Sequence, residues 1–191
     1  MKETKKTADT NMEFDEVIKM CRALYIKKLQ DYGASWRIMR PESLTDQIFI
    51  KAKRIRSIET KGVSLIDEGI RSELIGIVNY GIIALIQLEH GFSDTVDKDS
   101  EWAIKEYDKY ANAALELMKK KNHDYDEAWR GMRTTSYTDL ILTKINRTKE
   151  IESHNGKTVV SEGIDANYMD MINYAVFGLI KTVIESGVNQ D

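Results

Sequence analysis

Two pairs of cations spaced three residues apart, Lys51 with Arg54 and Lys144 with Arg147, are the residues whose type and spacing point first to chemistry. On a helix that spacing places both charges on one face. There an ammonium and a planar guanidinium fork suit phosphate oxygens. Arg37 and Arg40 precede the first pair, Arg130 and Arg133 the second, and rings accompany each set: Tyr32 with Trp36, Tyr125 with Trp129. A nucleobase can stack on such rings. A plainer reading stands beside this one. The tryptophans serve as core or interface anchors, Asp31 and Asp124 pair with an arginine or cap a turn, and the cations bridge to Glu59, Glu68, Glu152 and Glu162 within a helix bundle.

Acids follow both cation pairs. Placing residues 67–86 over 161–180 sets Glu68, Asn79 and Tyr80 on Glu162, Asn173 and Tyr174, but Glu73 on Asn167 and Gly76 on Asp170. The combined pattern is E-x-x-D-x-x-N-Y, with all three polar positions on one side of a helix. Two carboxylates three apart can hold a hard divalent cation. Each stretch keeps only one of that pair.

Other chemistries find no support. His90, His123 and His154 have neither metal-ligand spacing nor a counterpart in the other stretch, and Cys21 lies on an apolar helix stripe with no base in evidence. No Cys-x-x-Cys, phosphate-loop, dinucleotide or nucleophile-elbow motif occurs.

These residues come in pairs because the chain is duplicated. Residues 27–59, KKLQDYGASWRIMRPESLTDQIFIKAKRIRSIE, match residues 120–152, KKNHDYDEAWRGMRTTSYTDLILTKINRTKEIE, in the frame DY, WR, MR, S-x-TD, K-x-x-R and IE, and the match resumes after a one-residue insertion. Each unit of roughly 75 to 85 residues is short for an independent domain, so two units pack face to face. Helical spacing of apolar residues begins at Phe14, Val17, Ile18, Cys21, Leu24 and Leu29, and again at Trp102, Tyr107, Tyr110, Ala114, Leu117 and Met118. These helices end near the DY pairs, and Gly33 to Pro41 is an irregular connection. Ser43 to Asp46 and Ser136 to Asp139 have capping-box spacing at the start of a second helix that runs to about Glu59 or Glu152. A third helix, from about Asp67 or Ser161, carries the longest apolar stripe: Ile70, Leu74, Ile77, Val78, Ile82 and Leu85, answered by Ile164, Tyr168, Met171, Ile172, Val176 and Leu179.

The expected architecture is therefore all-α, two tandem three-helix units packed as a pseudo-twofold bundle. The first repeat spans 12–89, an acidic linker 90–101 and the second repeat 102–186; residues 1–11 and the last six read as frayed ends. Among 191 residues, 28 Lys and Arg stand against 31 Asp and Glu, a net charge of −3 that gives no bulk attraction to nucleic acid or anionic membrane. No apolar run approaches a span of about 18 residues, and a single cysteine with a polar start suits a reducing cytoplasm.

The repeated DY, WR, TD, K-x-x-R and EGI…NY pattern resembles the nucleotide modification associated domain 1 family, a domain of unknown function. More remotely, the acid-bearing third helix is similar to all-α nucleoside triphosphate pyrophosphatases of the MazG and dimeric dUTPase type, which hold Mg2+ on an E-x-x-E and an E-x-x-D pair. Lys51-x-x-Arg54 and Lys144-x-x-Arg147 stand where that E-x-x-E belongs, and cations there repel a metal. The resemblances imply a protein that binds a nucleotide or modified nucleotide. The phosphate and base contacts come from Arg37, Lys51, Arg54, Arg130, Lys144, Arg147, Tyr32 and Tyr125. If hydrolysis accompanies binding, Mg2+ would sit among Glu68, Glu73, Glu162, Asp165 and Asp170. The rival reading is a catalytically inert helical binding or assembly module.

Overall fold

The computed structural model describes residues 9–62 and 69–185, among which every regular element is helical. Six α-helices run in the order α1 (Thr10–Tyr32), α2 (Pro41–Lys61), α3 (Ile70–His90), α4 (Ser100–Tyr125), α5 (Thr134–Ser153) and α6 (Ile164–Leu179). One-turn 3-10 segments, Ser35–Ile38 and Ala128–Gly131, join the first and second helix of each repeat, and α6 continues as a π-helical turn, Ile180–Ile184. The two family-like repeats thus give two copies of the same three-helix unit, as the duplication predicts.

Local sequence explains where helices begin and end, with two corrections. Asp9 caps α1 by accepting from the amides of Asn11 and Met12, and Asp99 caps α4 through the Trp102 amide. Helix α1 therefore starts inside the stretch expected to fray. The predicted capping boxes do not form. α2 starts at Pro41, where a fixed φ and a missing N–H fit the first helical position, and α5 starts at Thr134; the preceding arginines, Arg40 and Arg133, make no side-chain cap. Ser43 and Ser136 thus lie already within the first turn. α1 stops at Gly33, whose φ of 65° is left-handed, whereas α4 stops at Asp126 and Glu127 with φ of 49° and 54°. Non-glycine residues there carry strain that Gly33 avoids.

The third helices form the centre. α3 and α6 make the most extensive helix pair, followed by α2 with α3 and α5 with α6. Leu74, Ile77, Val78, Ile82 and Leu85 are buried on α3, as are Tyr168, Met171, Ile172, Val176 and Leu179 on α6. Gly81 permits the close approach: a Cβ there would come within 2.7 Å of Ile172 Cγ1. α3 is in fact long and apolar enough to cross a membrane, contrary to the expectation from run length, yet 67% of its most apolar window is buried inside the bundle. α6 begins at Ile164, later than the expected Ser161; the expected α3 start at Asp67 and the candidate ligand Glu68 lie outside the described residues. On α1, Phe14, Val17, Cys21 and Leu29 are buried with Tyr25, whereas Leu24 is exposed.

Candidate functional site

The repeated charges divide into three groups with different roles. Arg37 is buried and clamps the end of its own repeat: its Nε donates to Asp97 at 2.9 Å, and its Nη1 donates to the Gly91 carbonyl at 2.6 Å and to Gln87. Gln87 in turn donates to the carbonyls of Trp36, Arg37 and Met39. In the second repeat Lys181 occupies the position of Gln87 and donates to the carbonyls of Arg130 and Met132 at 2.8 and 2.5 Å. Arg130 meets Glu13, Glu127 and Glu185. Both arginines therefore fasten the 3-10 connections, and neither lines a cleft described below.

The second group closes the interface between α2 and α5. Thr45 donates to Glu152 at 2.7 Å and Thr138 donates to Glu59 at 2.7 Å, while Lys149 pairs with Asp46 at 2.7 Å and Arg56 with Asp139. Each contact is repeated with the partners exchanged, which is what a twofold interface requires. Burial raises the Glu152 carboxyl above its usual range, with the Thr45 hydrogen bond acting the other way.

The third group surrounds a cleft of about 490 Å3 in the first repeat, between the end of α1, the Ser35–Ile38 turn and one face of α2 and α3. Tyr32, Trp36 and Tyr80 supply rings, with Lys28, Lys51 and Glu73 among the polar residues of its wall. Tyr32 is 55% exposed at the rim, and partial burial followed by the influence of Tyr80 raises its phenol. The Lys51 ammonium lies 5.7 Å from the centre of the Tyr80 ring and 3.5 Å from Glu73 Oε2, and Arg54 donates to the other Glu73 oxygen. The Trp36 indole N–H is buried without a hydrogen-bond partner, as is that of Trp129. A cleft of this size, mostly apolar with a few convergent polar groups, suits a small ligand.

The same place in the second repeat is filled from within. Asp170 stands at the position of Gly76, with Lys121 Nζ at 2.5 Å and Lys144 Nζ at 2.7 Å. Phe177 stands at the position of Ile83 and stacks on Trp129 with ring centres 4.2 Å apart. Burial works to lower Lys121, but the Asp170 carboxylate outweighs it and holds the ammonium above its usual value. Tyr125 is 71% exposed and lines neither cleft. A second cleft of about 560 Å3 lies beside the end of α5 and brings together Lys144, Arg147, Glu162 and Asn167, with the His154 imidazole as its one ring and no Phe, Tyr or Trp.

Of the candidate metal ligands, Glu73 and Asp170 do not suit a hard divalent cation. Glu73 is already paired with Lys51 and Arg54, and Asp170 with Lys121 and Lys144; those cations neutralise the two carboxylates and repel a metal. Glu162 and Asp165 are exposed near the start of α6. Among the described residues, one group of three possible ligands lies close together, Glu89, His90 and Glu106, and Lys109 already reaches Glu89 at 2.5 Å and Glu106 at 3.7 Å. Cys21 is buried, and desolvation pushes its thiol up to about 12, so it is no nucleophile.

Of the predicted residues, the structure gathers Tyr32, Lys51 and Glu73 at the first cleft and Lys144, Arg147 and Glu162 at the second. Lys28 and Tyr80 were missed as cleft residues, although both lie on the repeated frame, as the KK preceding DY and the tyrosine of NY. A family model described as nucleotide modification associated domain 1 matches the chain twice, over residues 28–88 and 121–182. No curated protein and no solved structure matches it.

Proposed function

The chain belongs to the nucleotide modification associated domain 1 family, and from that premise we propose that it binds a nucleotide or modified nucleotide in the cleft of the first repeat. One observation carries the reading: the cleft gathers Tyr32, Trp36 and Tyr80 beside Lys51 and Glu73. Exposed Tyr32 offers a face on which a base stacks, an interaction worth about 1–3 kcal/mol per base. Glu73, held by Lys51 and Arg54, presents a fixed carboxylate that can accept from a base amino group.

Binding without hydrolysis is the part of the family expectation that the side chains favour. A MazG-like pyrophosphohydrolase needs carboxylates available to a metal, and Glu73 and Asp170 are both neutralised by neighbouring cations.

The deciding measurement is a thermal-shift screen with nucleosides and nucleotides, because a ligand that binds only the folded state raises the midpoint. The expected result is a rise that disappears in Tyr32→Ala and persists in Tyr125→Ala. If no nucleoside or nucleotide at millimolar concentration moves the midpoint, the proposal fails and a helical platform without this ligand remains.

A further inference from the structure

We infer that the cleft contains a subsite for one phosphate monoester over Gly76, between Lys28 and Lys51, so that its ligand is a nucleoside monophosphate. The inference rests on the nucleotide reading of the cleft and deepens it. The protein's own second repeat marks the place. Lys121 and Lys144, the counterparts of Lys28 and Lys51, converge on the Asp170 carboxylate at 2.5 and 2.7 Å. Two ammonium groups repel one another unless an anion lies between them, and the second repeat supplies that anion covalently.

The first repeat keeps both lysines and removes the acid. Gly76 stands where Asp170 stands, so the place of the carboxylate is given up. The stem of Lys51 lies over it: a Cβ on Gly76 would fall 2.5 Å from Lys51 Cε and 2.6 Å from Cδ. The Lys51 ammonium reaches Glu73 only at 3.5 Å, long for a charge-assisted contact. Lys28 lines the cleft, is exposed, and has no ion pair among the described residues. Two cations therefore line the cleft with Gly76, a position that carries a carboxylate in one repeat and none in the other, where only the flexible stem of Lys51 covers it. Their combined charge matches the roughly −1.5 to −2 of a phosphate monoester at neutral pH. A triphosphate would bring further charge that no other cation lining the cleft offsets. With the phosphate over Gly76, Tyr80 and Tyr32 lie along the wall where the sugar and base extend.

The test is calorimetric titration of the four common ribonucleoside 5′-monophosphates and of their parent nucleosides into wild type, Lys28→Ala and Gly76→Asp. The best monophosphate should bind wild type at least tenfold more tightly than its nucleoside. Lys28→Ala should reduce that preference several-fold. Gly76→Asp should abolish it, because the new carboxylate takes both lysines as Asp170 does, and its melting temperature, at or above that of wild type, shows that it folds. A Gly76→Asp protein that folds and keeps the phosphate preference overturns the subsite. Nucleosides that bind wild type as tightly as their monophosphates overturn the subsite and leave the nucleotide cleft standing. Failure of every nucleoside and monophosphate to bind overturns both.

Discussion

The Thr45 hydroxyl donates to Glu152 at 2.7 Å across the interface of α2 and α5, and the same bond with the repeats exchanged joins Thr138 to Glu59 at 2.7 Å. The S-x-TD and IE elements of the duplicated frame are thereby explained as one reciprocal contact made twice. Asp46 with Lys149 and Asp139 with Arg56 complete it. A residue kept in both copies can thus be kept for the axis that relates them.

Thr45→Val and Thr138→Val should each destabilise the fold, since removing a donor from a partly buried acceptor costs about 1–3 kcal/mol. Thr45 also shares a hydrogen bond with the Tyr168 hydroxyl, whereas the residue corresponding to Tyr168 in the first repeat is Leu74. The loss at Thr45 should therefore exceed that at Thr138. Denaturant unfolding of the two single variants checks the order, and a larger loss at Thr138 contradicts it.

Glu152 should make stability depend on pH. Its carboxyl is raised in the folded protein, chiefly by burial. A raised acid contributes stability that is full below the ordinary value of 4.5 and is lost as pH climbs through the raised one. Glu152→Gln removes that loss and keeps an acceptor for Thr45. The melting temperature of the variant minus that of wild type should therefore increase between about pH 4 and about pH 7; a difference that stays constant over that interval contradicts the assignment.

Phe14→Tyr should stabilise the protein. Asn79 donates to the Cys21 carbonyl at 3.1 Å and accepts from the Tyr107 hydroxyl at 2.8 Å. Its counterpart Asn173 donates to the Ala114 carbonyl at 3.3 Å, but its Oδ1 is buried without a partner. The residue corresponding to Tyr107 is Phe14, which has no hydroxyl. Restoring the donor should add about 1 kcal/mol and raise Tm by about 2–4 °C for a chain of this size. A lower Tm shows that position 14 does not reach Asn173.

Arg37→Met should cost stability and spare binding. Arg37 sits in the WR pair, yet its guanidinium is committed to Asp97, Gln87 and the Gly91 carbonyl. Losing those charge-assisted bonds should cost about 2–3 kcal/mol, while nucleotide affinity measured below the lowered Tm stays that of wild type. A large affinity loss with an unchanged Tm would place Arg37 at a ligand instead.

Cys21 should resist thiol reagents while the protein is folded. Burial holds its thiol at about 12, so the thiolate fraction at neutral pH is negligible. Labelling should track unfolding in denaturant and be slow without it.

Much of the fold was legible along the chain, because helix periodicity and duplication are local properties. The ends of α1 and α4 at the DY pairs, the central stripes of α3 and α6 and the pairing of two like units all follow from spacing. The capping boxes misled because Ser43 and Asp46 have the right spacing for a cap, and only the position of Pro41 at the helix start shows that their turn is already inside. The lining of the candidate cleft was legible in part. Residue type announced Lys51, Glu73 and Tyr32, but equally announced Arg37, Arg130 and Tyr125, which the structure sends to ion pairs or to open solvent.

The sequence by itself determined that one helical unit occurs twice, and where the copies disagree, because identity and period are carried by the chain alone. Tertiary structure decided what each disagreement means. Glu73 and Asp170 lie a helical turn apart when the repeats are superposed, yet both reach the counterpart lysines, Lys51 and Lys144, because a long flexible side chain crosses one turn of the helix it faces. That Asp170 meets Lys121 and Lys144 at 2.5 and 2.7 Å, while the stem of Lys51 lies over Gly76, depends on packing between α1, α2 and α3, and between α4, α5 and α6. No spacing rule along one strand of sequence contains that distance.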